Sequence, residues 1–86
     1  MDQVIDEIKR HYDFIHKCRE DIAELKKQKA VIKAPLWEEA TGTVDAKKDY
    51  IKSKIADYDY NISLKEAEIE YSYNLVNILL FEVDDE

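Results

Sequence analysis

Glycine and proline are almost missing from this chain: 86 residues hold one of each, Gly42 and Pro35. A phosphate-cradling loop needs several glycines to bring the backbone close to its ligand, and a nucleophile elbow needs them around its serine. One glycine builds neither. Cysteine is as scarce, and Cys18 alone excludes an intramolecular disulfide and points to a reducing compartment, the cytoplasm. Long apolar runs are absent too. The longest, "ILLF" at 78–81, falls far short of the roughly 20 residues that cross a bilayer, and "MDQVIDEIKR" has no basic start followed by an apolar stretch. No targeting or membrane segment is expected. Arginine is rare beside lysine, two against eleven, so the planar forks that read nucleic-acid bases are few.

What remains is a composition of helix formers, 38% charged and 45% apolar. That is too much apolar content for a disordered chain. A chain of this length makes one domain, residues 1–86, and buries only about 60 to 65% of its unfolded surface. Its core is thin, and self-association is the natural supplement.

From Asp2 to Lys33 no glycine or proline intervenes, and Val4, Ile5, Ile8, Tyr12, Ile15, Ile22 and Leu25 recur at helical spacing. The stripe is imperfect. Arg19 and Lys26 fall where the heptad of Ile5, Ile8, Tyr12, Ile15 and Ile22 wants apolar residues, and Cys18, Leu25 and Ile32 take over on a rotated face. A second helix is expected from about Val44 to Val83, capped by the Thr43 hydroxyl, with Asp45 in its first turn. Its seam is cleaner: Val44, Ile51, Ile55, Tyr58, Ile62, Ile69, Val76, Leu79 and Val83, interrupted by Lys48, Lys65 and Ser72. Lys65 reads as a snorkelling side chain on that seam. Pro35 is expected to end the first helix, leaving a bend over 34–43 in which "PLWEEA" is able to form a short turn of its own.

The fold class is therefore all-α: an antiparallel two-helix hairpin, completed by homo-oligomerisation into a helical bundle. Two arguments carry the oligomer. Tyr60, Leu64, Ala67, Tyr71 and Ile78 point away from the second helix's seam, giving that helix two apolar faces. A hairpin symmetric about residues 38 and 39 also leaves Val76, Leu79, Leu80, Phe81 and Val83 overhanging the N-terminus. The expected interface comprises Tyr60, Leu64, Tyr71, Leu75, Ile78, Leu79, Leu80 and Phe81.

Catalytic chemistry finds little support. "HYDFIHKC" holds metal-ligand types, but His11 and His16 are five apart and diverge by about 140° on a helix, whereas two ligands from one helix stand three or four apart. No group positioned to activate Cys18 is evident, and carboxylates such as Glu66 and Glu70 are neighbours on a solvated face. No enzyme activity, metal or cofactor is expected.

Charge is distributed unevenly. Residues 26–54 carry eight lysines and four acids, net +4, and the rest carries −11, in agreement with the total of −7. A hairpin is then basic at its bend and acidic at its open end. Trp37 sits in that basic bend with Lys33, Lys47 and Lys48, as a cap over Ile32 and Val44 or as an exposed anchor. Three functional readings follow. The first is a non-enzymatic interaction module that associates with itself and acts by binding a protein partner. The second is a small acidic inhibitor, of the kind a phage or mobile element carries, that imitates nucleic acid and blocks a protein that binds it. The third is weak nucleic-acid contact through the lysine-rich bend.

Overall fold

The computed structural model describes the backbone of residues 2–84 and the side chains of residues 2–81. Its regular structure is entirely helical: α1 spans Asp2–Val31, α2 Lys33–Glu39 and α3 Val44–Asp84. α1 packs antiparallel along α3, and the molecule is 66 Å long and only 15 by 13 Å across. That length is close to what α3 spans by itself at about 1.5 Å per residue. No helix among the described residues is long and apolar enough to cross a membrane.

α3 buries the face its heptad requires. Ile51, Ile55, Tyr58, Ile62, Lys65, Ile69, Ser72, Val76 and Leu79 alternate at spacings of four and three and are all buried or half-buried. Val44 and Lys48, at the start of the same row, are exposed. The side chain of Val83 lies outside the described residues.

α1 resolves its drifting stripe in favour of the rotated face. Val4, Ile8, His11, Ile15, Cys18, Ile22, Leu25, Lys29 and Ile32 form one unbroken row of alternating fours and threes, each residue buried or half-buried. Ile5 and Tyr12, expected on the seam, are exposed. The preferred row contains His11 and Lys29, which is why apolar counting overlooked it. Two charged contacts let α3 accept it: Lys29 pairs with Asp59 at 2.5 Å, and Lys65 reaches Asp21 at 3.5 Å, its head leaving the seam while its stem stays on it.

The first helix ends ahead of Pro35, as expected, and a short second helix follows at once. The break is at Ile32, whose backbone is still right-handed helical, and the Leu36 N–H donates to the Ile32 carbonyl at 3.0 Å. Proline has no N–H to donate to the Val31 carbonyl, and its ring crowds that carbonyl, so the hydrogen-bond ladder opens by one rung and resumes. Pro35 stands in the first turn of α2, where a missing N–H is tolerated. Within the connection expected over 34–43, the short turn expected at "PLWEEA" is most of α2, and the chain reverses over residues 40–43. Leu36 continues the α1 row at the next heptad position and is buried, as is Ala40.

The reversal needs its glycine. Ala40 is extended, Gly42 has φ +97°, and a β-carbon on Gly42 would sit 3.4 Å from that of Ala46. Thr43 then caps α3 as expected, its Oγ1 accepting from the Ala46 N–H at 3.2 Å while its carbonyl accepts from the Lys47 N–H.

A tighter and later reversal changes the register. Lys29 with Asp59, Asp21 with Lys65 and Tyr12 with Tyr73 place the hairpin's centre near Thr43, not at residues 38 and 39. Facing positions shift by about nine residues, and α1 reaches the end of α3. The expected overhang is thereby overturned: Val76 is 1% exposed and Leu79 half-buried, both on the intramolecular seam. The core lies in the half of the hairpin away from the turn, where Ile15, Cys18, Ile22, Ile62, Ser72 and Val76 are buried.

Candidate interaction surfaces

Opposite its seam, α3 carries a second row at the same spacing: Tyr60, Leu64, Ala67, Tyr71, Asn74, Ile78 and Phe81. Tyr60, Tyr71, Ile78 and Phe81 are between 58% and 68% exposed, and Leu64 is 46% exposed. α1 extends this surface at one point, since Phe14 lines a shallow groove with Leu64, Ala67 and Tyr71. Of the residues expected at an interface, Tyr60, Leu64, Tyr71, Ile78 and Phe81 share this outer row. Leu75 is half-buried beside it, and Leu79 belongs to the seam. Leu80, 40% exposed, falls on the other flank, the flank that carries Tyr73.

On that flank Arg19 donates to the Tyr73 hydroxyl and lies 5.5 Å from the centre of its ring, while Tyr12 meets the same ring edge-on at 6.4 Å. Arginine interrupts the first-choice heptad of α1 because it serves this flank instead. The Tyr12–Tyr73 contact depended on the register and had no local signal in the sequence.

At the turn, Lys47 Nζ stands 4.9 Å over the Trp37 ring, and Lys54 Nζ 5.6 Å over that of Tyr50. Such contacts contribute about 0.5 to 1 kcal/mol at exposed sites. Trp37 keeps 38% of its surface, and Val44 keeps 56%, so Trp37 does not close the seam over Val44. Leu36 and Ala40 are the residues buried at this end. Lys33 and Lys48 line an open groove with Lys52, Asp45, Asp49 and Ile51. The structure brings Trp37 to Lys47 and Lys33 to Lys48, with two carboxylates among the lysines of the groove.

The buried thiol has one polar neighbour. Cys18 Sγ donates to Glu68 Oε2 at 3.7 Å, and Lys65 stands 3.9 Å from the same oxygen. Burial pushes the Cys18 pKa above its ordinary value, with the Glu68 hydrogen bond and charge adding to the shift and Lys65 opposing it. A nucleophilic thiol requires the opposite shift. His11 occupies a half-buried seam position and His16 is exposed on another face. The grooves along the molecule are shallow and solvent-open, and no cluster of three or more metal-binding side chains occurs among the described residues. What the surface offers is an apolar row on one face and a lysine-rich turn at one end. No known family model, curated protein or solved structure matches the chain.

Proposed function

We propose that the chain is a non-enzymatic, self-associating helical-hairpin module that acts by occupying a macromolecular partner. The outer apolar row of α3 carries this reading. Once α1 has filled the seam, Tyr60, Leu64, Tyr71, Ile78 and Phe81 stay largely exposed among the described residues, and a helix with two apolar faces requires a second partner. Surface area supports it: 6617 Å² is accessible, whereas a compact monomer of 10.2 kDa exposes about 5300 Å². Association of two hairpins through this row makes a four-helix assembly with the two α3 helices paired at its centre, and the charged faces of α1 remain on the outside for a further protein.

Light scattering after size exclusion tests the reading. A dimer is expected at micromolar concentration, and Ile78→Glu should weaken association at least tenfold while the diluted protein stays helical. Ile78 is a more informative position than Leu79, because Leu79 lies on the seam and its loss would also weaken the hairpin itself. Wild-type protein that remains monomeric at tens of micromolar would refute self-association.

The acidic-inhibitor reading rests on a different observation. Outside residues 26–54 the chain carries −11, and the outer face of α1 is charged throughout. Binding to a nucleic-acid-binding protein through these carboxylates would fall steeply with added salt; an apolar interface would not.

A further inference from the structure

We infer that the occupant of the outer α3 row is a second copy of this chain running in the opposite direction, with the twofold axis at Tyr71. This rests on the self-associating reading above and specifies its geometry. The row runs from Tyr60 to Phe81, about 32 Å of helix, and its midpoint falls at Tyr71. Reversal about that point is self-complementary. Leu64 meets Ile78, Tyr60 comes to the level of Phe81, the small Ala67 receives Leu75, and Tyr71 meets its own copy. Every large apolar residue of the row finds an apolar counterpart.

The area is adequate. The exposed parts of Tyr60, Leu64, Tyr71, Ile78 and Phe81 amount to on the order of 600 Å², taking about 150 to 250 Å² for a whole aromatic side chain. With Phe14 and the row's margins this approaches the roughly 800 Å² per partner of a stable interface.

Charge selects the direction. Parallel packing sets every segment beside its own copy, lysine-rich turn against lysine-rich turn and acidic open end against acidic open end. Antiparallel packing separates the two turns and sets the open end of each chain at the level of residues 27–29 and 57–59 of the other, where Lys27 and Lys29 stand among Asp57 and Asp59 in place of an unbroken run of one sign. Like charges apposed across an interface destabilise it, and long stretches of one sign amplify the penalty.

Spin labels and cysteines distinguish the arrangements, each in a Cys18→Ala background. A label at Ser53→Cys, exposed and beyond the row, should give an interchain distance near 54 Å, because it lies 18 residues from the axis in each chain. Tyr71→Cys should oxidise to a covalent dimer, whereas Leu64→Cys and Ile78→Cys should cross-link only when the two variants are mixed. Short Ser53 distances, with Leu64→Cys and Ile78→Cys each cross-linking to themselves, would establish a parallel dimer and overturn the inference while leaving self-association intact. A monomeric Cys18→Ala protein, with wild type monomeric as well, would overturn both.

Discussion

α1 and α3 run side by side, yet they meet solvent differently. The outer row of α1 is charged: Asp6, Arg10, Asp13, Lys17, Glu20, Glu24 and Lys27, all exposed. The corresponding row of α3 is apolar from Tyr60 onward, with only Asn74 polar. α1 is thus finished by one neighbour, as a surface helix is. α3 is not. The seam accounts for why the hairpin forms, whereas the outer row is left exposed by the described residues, and the proposed interface rests on this difference between the two helices.

If this contrast holds, seam and outer row will respond differently to truncation. The largest effect is expected at Ile15, among the largest fully buried side chains of the seam. Ile15→Ala should cost about 2 to 5 kcal/mol and lower the melting temperature by well over ten degrees at any protein concentration. Tyr60→Ala, of similar size but on the outer row, should leave the dilute melt nearly unchanged and act only where protein concentration matters. A large loss in dilute Tyr60→Ala would erase the distinction.

The turn offers a smaller and sharper probe, because it joins the helices without touching the outer row. Gly42→Ala forces a β-carbon into a backbone with φ +97° and should destabilise by about 1 kcal/mol or more, and Thr43→Ala should cost about 1 kcal/mol through loss of its cap. Both should lower the melt while leaving the dissociation constant of the folded dimer as it was.

The smallest effect concerns pH. Cys18 is held above its ordinary pKa by burial first and by Glu68 second, so as pH rises past about 9 the unfolded thiol ionises before the folded one. Stability contributed by the buried neutral thiol is complete below that pH and declines as pH rises from there through the folded pKa. Urea midpoints at pH 8 and pH 10 should fall further for wild type than for Cys18→Ala, and equal losses would show that the thiol is not sheltered by the seam.

Much of this was visible in the residues. The seam of α3, the Thr43 cap, the start at Val44 and the outer row from Tyr60 to Phe81 are all local or periodic features, and periodicity survives without knowledge of the partner. The seam of α1 was harder, since two rows about one residue apart compete. Apolar counting prefers Ile5 and Tyr12, and only an Asp59 opposite Lys29 and an Asp21 beside Lys65 make the other row acceptable. The break before Pro35 and the short helix after it were legible as well, but not the burial of Leu36 that fixes that helix on α3. Proline weakens one rung of a helix, and whether the helix resumes depends on whether the next residue of the row, Leu36, has somewhere to be buried.

The sequence by itself determined that this protein is helical, that it reverses once near its only glycine, and that its second long helix has apolar residues to spare. Those are consequences of spacing, of the unique freedom of Gly42 and of which side chains prefer water. Register, the choice of face on α1 and the burial of Val76 were decided by tertiary structure. Each depends on the sum of contacts along two helices of about 45 and 60 Å, and a reversal centred four or five residues later in the chain moves every one of those contacts at once.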